Sequence, residues 1–443
     1  MKPHLIVTLR PGTPAPVLPH WSDIIADKTV AGERLDPAVD AVLRRWRCPV
    51  WVAGEFRPAG EAWSPSEIAA GLNRIYRLIL QRDAGIPDEL IRDICLVPTV
   101  EQVRPGAVQG APLPRPVAAQ MSTLTDQASR EAIYLAEAHR VSRGDPSVTV
   151  AVLDTGISRT HPELAGVVLP GFDFVDIIDG HDDFVGDFIG ADADPDDEVG
   201  HGTHVAGIIA GRGAGMPAGV VPRCRILPVR VLGAMRQGPL RVGAGLVDNI
   251  NNAIKWAVDH GAQVINMSLG IRRTGGGLPH AEVVEYARRK GVTVVAAAGN
   301  DGRDELYYPG ALPHVVAVGA FGEDGEVAPF STYGNQVSVI APGENIFSSH
   351  LQNDYAFASG TSQAAPFVAG AVALLKSAAR ATAGAPLSDS QVKHILKHTS
   401  DKVDARFKHR KAGYGKLNLA DALRLLDFRL SGRTEPWRTR RTA

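Results

Sequence analysis

Ser147-Val-Thr-Val-Ala-Val-Leu-Asp-Thr-Gly156 decides how the chain is read. Ser147–Leu153 is rich in β-branched residues and stops at the carboxylate of Asp154. That pattern predicts a strand. Outward from it, helix-like and strand-like stretches alternate. Helical periodicity covers Glu131–Val141, Thr203–Ala210, Leu246–His260, Glu282–Lys290 and Ser362–Ala378. Strand patterns cover Arg225–Val231, Gln263–Ser268, Val292–Ala298, Val315–Gly319 and Val337–Ile340. The alternation predicts an α/β fold with a mainly parallel sheet covered by helices on both faces. Such sheets carry their chemistry beyond the carboxyl ends of strands. Asp154, Ser268 and Asn300 each sit just after a β-rich run.

Four short segments then stand out: Val152-Leu-Asp-Thr-Gly156, Gly200-His-Gly-Thr-His204, Ala298-Gly-Asn300 and Gly360-Thr-Ser-Gln-Ala-Ala-Pro366. They offer a carboxylate, an imidazole, an amide and a hydroxyl, which are the parts of an activated-serine acyl-transfer site. Each residue also has a plainer reading. Ser362 could cap the helix that starts there. Asp154 could form a turn, and Asn300-Asp-Gly is an ordinary turn signal. His201 and His204, three apart on one helix face, could bind a metal, but no third ligand with suitable spacing is visible.

Taken together, the four segments in the order Asp, His, Ser resemble the subtilisin-like serine proteases, and the likeness covers about residues 128–425. The resemblance implies that Ser362 is the nucleophile, His201 the base and Asp154 its orienter. It also implies an oxyanion hole made by the Asn300 amide and the Ser362 backbone N–H. Gly243-Ala244-Gly245 and Ser268-Leu269-Gly270 resemble the two backbone edges that hold an extended protein or peptide substrate. His204 is expected to be a buried structural histidine. Gly413-Tyr-Gly-Lys-Leu-Asn418 resembles the family's closing element. No cofactor is required by this chemistry. A transacylase that passes the acyl group to an amine, or a binding protein on the same scaffold, would use the same residues.

The chain also departs from the family. Gln363 follows the nucleophile where methionine is common, and Tyr307 stands near the base of the primary specificity pocket where many relatives carry a small residue. The early calcium loop is missing, since Gly211–Pro222 offers no carboxylate. Instead, residues 173–198 hold ten Asp and one Glu. There Asp192, Asp194 and Asp196 are candidate calcium ligands. The same stretch could favour basic substrate residues, or be a solvated loop.

Residues 1–103 read as a small α+β domain. Strands are predicted at His4–Leu9, Val50–Phe56 and Thr99–Val103, with helices at Ser64–Gln81 and Glu89–Ile94. Its last strand is expected to dock on the larger sheet and lead the chain through the active site, as an inhibitory propeptide would. A permanent partner-binding module is the alternative. Residues 104–127 read as a linker, because Arg104–Pro116 holds four prolines and two glycines. Residues 128–428 form the catalytic domain, and 429–443 a basic tail with five arginines. Net charge is −1, which points to neither nucleic acid nor membrane. No apolar run is expected to be long enough to span a bilayer. The opening residues lack the apolar core of a secretion signal. Three cysteines without a Cys-x-x-Cys pair read as reduced, buried thiols, so a cytoplasmic location is expected.

Overall fold

The computed structural model describes residues 3–14, 16–82, 85–111, 117–119, 127–176, 183–238, 240–272 and 277–431. Parts of the expected linker (112–116 and 120–126), residues 177–182 of the acidic stretch and most of the basic tail (432–443) lie outside them.

The N-terminal unit is an antiparallel sheet of β1 (His4–Leu9), β2 (Val50–Gly54), β3 (Ile75–Leu80) and β4 (Val100–Pro105), in the order β2-β3-β1-β4. Its helices are α1 (Trp21–Ala26), α2 (Pro37–Arg45), α3 (Pro65–Ala70) and α4 (Asp88–Cys95). Alternation along β1 sets its two faces. Leu5, Val7 and Leu9 bury against Val39 and Leu43 of α2 and Leu90 and Ile94 of α4. Ile6 points the other way and joins the core of the larger unit. Burying each such side chain contributes roughly 1.5–3 kcal/mol.

The predicted helix Ser64–Gln81 is half right. Ser64 and Glu67 form the expected capping box. The helix then stops at Gly71, which takes the left-handed φ of 80° that ends helices. Ile75–Leu80 continues as the strand β3 between β2 and β1. Apolar residues spaced three and four apart mimicked a helix across that break. Likewise Glu131–Val141 is not one helix. It divides into α5 (Gln127–Glu131) and α6 (Leu135–His139), with Tyr134 left-handed between them.

Two short strands follow the N-terminal unit, β5 (Val108–Ala111) and β6 (Val117–Ala119). The larger unit contains β7 (Thr149–Asp154), β8 (Phe172–Asp173), β9 (Phe184–Val185), α7 (His201–Ala210), β10 (Arg225–Arg230), β11 (Gly233–Gln237), β12 (Leu240–Leu246) and α8 (Val247–Asp259). It continues through β13 (Val264–Met267), α9 (Ala281–Arg289), β14 (Thr293–Ala297), β15 (Val316–Phe321) and β16 (Val337–Pro342). It ends with β17 (Ile346–Ser349), β18 (Tyr355–Ala358), α10 (Thr361–Ala383), α11 (Asp389–Thr399) and α12 (Leu419–Leu430). Asn418, at the end of the expected closing element, caps α12 by accepting from Asp421 N.

The seven-stranded parallel sheet runs β16-β15-β14-β13-β7-β10-β8. Val150 and Val152 of β7 face the core that holds α7, α10 and α12. Ala151 and Leu153 face the core that holds α8 and α9. Both faces are therefore apolar, and the strands read as continuous hydrophobic runs. Helix α10 is, by length and composition alone, apolar enough to cross a membrane, contrary to the expectation that no run would be. It is buried along most of its length as the central core helix.

The N-terminal sheet docks on α8 and α9. Ile6, Phe56, Leu72 and Ile75 share one apolar cluster with Val283, Val284 and Ala287 of α9. Buried polar contacts surround it. Asp248 of α8 pairs with His4 at 2.9 Å and Arg104 at 2.5 Å. Lys255 pairs with Glu67 at 2.8 Å, and Asn252 donates to Glu55 at 2.8 Å. Arg104 holds the Asp248 carboxyl below its ordinary range despite burial. The thiols are not all buried as expected: Cys224 is, Cys48 is half-buried and Cys95 is exposed.

Candidate active site

Strand β7 delivers Asp154 at its carboxyl end, and α7 begins with His201. Asp154 Oδ1 lies 2.6 Å from His201 Nδ1 and accepts also from Thr155 N at 2.8 Å. Both side chains are buried, so little solvent screens the pair. Burial alone would lower the imidazole. The charge and hydrogen bond of Asp154, aided by Asp197, outweigh it and raise the His201 pKa above its ordinary value.

Helix α7 can start there because glycines let it approach β7. A Cβ on Gly202 would lie 2.0 Å from the Gly156 carbonyl oxygen. Asp197 fixes the helix start. Its carboxylate accepts from Thr155 Oγ1 (2.8 Å), Val199 N (3.0 Å), Gly200 N (2.8 Å), Thr203 N (2.9 Å) and Thr203 Oγ1 (2.7 Å). Burial pushes this carboxyl upward against those donors. By sequence alone Asp197 is one carboxylate among many in an acidic stretch. Its place four residues before His201, at a helix start, is the signal that distinguishes it. His204 is buried, as expected. Its Nε2 lies near the carbonyls of Ile346 (3.1 Å) and Ala356 (3.0 Å), and burial, with His201 next, lowers it to about 3.

Ser362 is the second residue of α10, whose N-cap is Gly360. It does not cap the helix. Its hydroxyl donates to the Ser268 carbonyl at 2.9 Å, and Ser268 Oγ donates to the Ser362 carbonyl at 2.8 Å. The carboxyl end of β13 is thus clasped to the start of α10. His201 Nε2 is buried and has no hydrogen-bond partner among the described residues. Asn300 Oδ1 accepts from Thr361 N at 2.8 Å and Thr361 Oγ1 at 2.9 Å. Fixing that oxygen leaves the Nδ2 branch of the amide as the donor. Gln363, beside Ser362, is fully buried, and neither of its polar side-chain atoms has a partner among the described residues.

The expected substrate edges divide. Gly243, Ala244 and Gly245 lie on β12, which is already occupied. Strand β5 pairs with it antiparallel, Ala111 facing Gly243, Gly110 facing Ala244 and Gln109 facing Gly245. Ser268, Leu269 and Gly270 follow β13. Ile271 exchanges backbone hydrogen bonds with Tyr308, at 2.9 and 2.8 Å, which brings Tyr307 against Gly270. Tyr307 is 8% exposed, and its side chain fills the space between two glycines. A Cβ on Gly299 would meet the ring at 2.5 Å, and one on Gly270 would meet the Tyr307 Cβ at 3.1 Å and the ring at 3.4 Å. Its hydroxyl donates to Asp301 at 2.6 Å and accepts from Arg272 Nε at 3.1 Å. Burial and then Asp301 raise the phenol's pKa.

The docking strand is not 99–103, as expected. That stretch belongs to β4, which pairs with β1 inside the N-terminal sheet. The docking strands lie in the expected linker. β5 covers the β12 edge, and β6 pairs with β18, Val117 facing Phe357. Free strand edges present unpaired N–H and C=O groups, and these segments satisfy them.

The candidate calcium ligands do not converge. Among the described residues, no group of three or more carboxylates, histidines or cysteines could hold a metal ion. Arg159 bonds Asp194 at 2.6 Å and Asp196 at 3.3 Å, while Asp192 accepts from Asp194 N at 2.7 Å. Arg230, fully buried, holds Asp173 at 2.5 Å and Glu198 at 2.9 Å. Burial pushes Asp173 up to about 7 even so. The Arg159 guanidinium thus meets two of the three carboxylates at which calcium was expected. The loop that lacks carboxylates of its own receives one from elsewhere. Glu163 accepts from Gly213 N (2.8 Å), Ala214 N (3.2 Å) and Gly215 N (2.5 Å).

The subtilase family (Peptidase_S8) profile matches residues 145–415, more than half of the chain. The thermophilic serine proteinase of Bacillus sp. (strain AK1) is 40% identical over 292 residues, covering 66% of this chain and 65% of that protein. Thermitase of Thermoactinomyces vulgaris is 39% identical over 257 residues, covering 57% of this chain and 81% of that protein. A solved protease from Pseudoalteromonas arctica superposes with a TM-score of 0.56 at 31% identity, covering 66% of this chain and 94% of that structure.

Proposed function

Because the chain belongs to the subtilase family of serine proteases, we propose that it is an endopeptidase working through Ser362, His201 and Asp154. The observation that carries this reading is the buried 2.6 Å pair of Asp154 and His201. It leaves the imidazole's other nitrogen buried and without a partner among the described residues. In the reaction, Ser362 Oγ leaves the Ser268 carbonyl and turns to His201 Nε2. It attacks the scissile carbonyl carbon as the imidazole takes its proton. Asp154 holds the Nδ1–H tautomer and stabilises the imidazolium. The tetrahedral oxyanion is met by Asn300 Nδ2 and the Ser362 N–H. His201 then gives its proton to the leaving amine, and water resolves the acyl-enzyme by the reverse sequence. No step draws on a cofactor. The test is hydrolysis of an unfolded protein such as casein. The wild-type chain should cleave it and the Ser362→Ala chain should not. Equal cleavage by both would end this reading.

One observation favours a further role for residues 1–111. Strand β5 lies on the Gly243–Gly245 edge that an extended substrate would use, and the N-terminal sheet is anchored to α8 and α9 behind it. This supports an N-terminal unit that occludes the site and is itself the first substrate. The wild-type chain should then be cut between Arg104 and Met121, and the Ser362→Ala chain should stay whole. A full-length chain that stays uncut and fully active would instead make the unit a permanent module.

A further inference from the structure

A cavity of about 700 Å³ opens at the amino ends of β14, β15 and β16, the opposite end of the sheet from Asp154. Gly291 before β14, Val316 at the start of β15 and Ser338 on β16 line its floor. These are amino-terminal strand ends, whereas Asp154, Ser268 and Asn300 follow carboxyl ends. The volume lies within the range of small-molecule sites.

Its walls are cationic. Arg288 and Arg289 come from the end of α9, Lys393, His394 and Lys397 from α11, and Lys408 from the loop before Tyr414. Two carboxylates offset part of this charge. Glu285 pairs with both arginines, at 2.7 and 2.8 Å, and Asp389 with Lys393 at 2.7 Å. The remaining lysines have no carboxylate partner among the described residues. Lys397 Nζ sits 5.1 Å from the rings of both Phe407 and Tyr414. Lys408 Nζ is 5.1 Å from the Tyr414 ring and donates to the Asn335 carbonyl at 2.6 Å. Just outside the cavity, Lys402 Nζ is 4.9 Å from Phe407 and donates to the Tyr414 carbonyl at 2.6 Å. Three ammonium groups are therefore gathered around two aromatic rings. Burial, and then the charge of Lys397, lowers the pKa of Lys402 and Lys408. Burial, and then the charge of Arg429, lowers His394, which accepts from Arg429 at 2.6 Å.

Gathering like charges in one place is unfavourable unless an anion compensates them. Guanidinium forks and several ammonium groups around one concavity suit phosphate oxygens, which accept charge-assisted hydrogen bonds from both. One carboxylate would leave most of the charge uncompensated. We propose that this cavity binds a run of linked phosphates, carried free as a polyphosphate or on a nucleoside, with Lys397 and Lys408 as its principal ligands. Such a site is independent of the catalytic reading, because it shares no residue with it.

The test is calorimetric titration of the full-length chain with tripolyphosphate and, separately, with ATP, against sulfate at matched ionic strength. Saturable one-to-one binding of at least one phosphate compound is expected, weakened at least about tenfold in Lys397→Gln/Lys408→Gln. Lys408→Gln alone, at an exposed position, should weaken it measurably and guards against a double variant that does not fold. Equal affinity for the two compounds would assign recognition to the phosphates alone, and tighter ATP binding would add the nucleoside. Absence of saturable binding, sulfate binding of the same strength, or an affinity unmoved in Lys408→Gln would each overturn the proposal.

Discussion

Ser362 Oγ donates to the backbone carbonyl of Ser268 at 2.9 Å, and the Ser268 hydroxyl returns a hydrogen bond to the Ser362 carbonyl at 2.8 Å. The clasp holds the amino end of α10 against the carboxyl end of β13. In the proposed reaction the Ser362 hydroxyl leaves that carbonyl for His201 Nε2, a step the two residues share. The first expectation follows from that shared step. Ser362→Ala and His201→Ala should each reduce peptide hydrolysis to near background. The double variant should be no worse than either single one, because nucleophile and base act as a unit. Initial rates on one peptide substrate measure this. A double variant far below both singles would mean the two residues serve separate steps.

Asn300→Ala should keep the fold and the KM and lower kcat by about two to three decades, the usual size of losing one preorganised oxyanion donor. Asn300 Oδ1 also accepts from Thr361. Asn300→Asp preserves that acceptor but removes the amide donor, so it should be as slow as the alanine variant. Recovery of activity in the aspartate variant would assign Asn300 to positioning Thr361.

The sheet and the site were legible for one reason. Each chemical residue sits at a boundary the sequence marks, such as Asp154 after a β-branched run and His201 after a glycine. What stayed hidden depended on partners distant in sequence. Ile75–Leu80 pairs with β1 and β2, and its apolar spacing alone suits a helix as well as a strand. β5 carries glycine and prolines follow it, so it reads as a linker until the β12 edge is present to pair with it. Glu163 fills a loop fifty residues away, and Arg159 and Arg230 reach across to the acidic stretch. Those contacts turn a metal-like pattern of carboxylates into ion pairs.

Tyr307 should shorten the primary specificity pocket. Its ring lies between Gly270 and Gly299, and its hydroxyl is tied to Asp301 and Arg272. Large aromatic P1 residues should therefore be poor substrates. Tyr307→Gly should raise kcat/KM for Phe over Ala at P1 by about tenfold or more, the range one pocket group controls. A peptide library read by mass spectrometry provides the comparison. Strong aromatic preference in the wild type would show that the ring does not limit the pocket.

Acid should loosen the docked N-terminal unit. Burial, then nearby arginine charge, lowers His20 and His280 from an ordinary value near 6.5 to about 3. His20 lies 3.2 Å from Asn252 of α8, and His280 lies 2.7 Å from Asn251. A histidine with a depressed folded pKa is protonated more readily once unfolded. Its stabilising contribution is complete above about pH 6.5 and is lost as pH falls toward 3. The slope is at most about 1.4 kcal/mol per pH unit for each histidine. Denaturant unfolding at pH 7.5 and 5.0 should show the loss, and His280→Asn should reduce it. Glu55, raised by burial, works in the opposite direction, so the wild-type-minus-variant difference is the quantity to read. An identical pH dependence in the variant would remove His280 from the account.

Ser362 is the proposed activated nucleophile. The most direct test is prolonged incubation of the full-length chain with a fluorophosphonate, followed by peptide mapping by mass spectrometry. A single covalent adduct on Ser362 is expected, absent from the Ser362→Ala chain and formed far more slowly in the His201→Ala chain. No adduct on Ser362, or one formed as fast without His201, would contradict it.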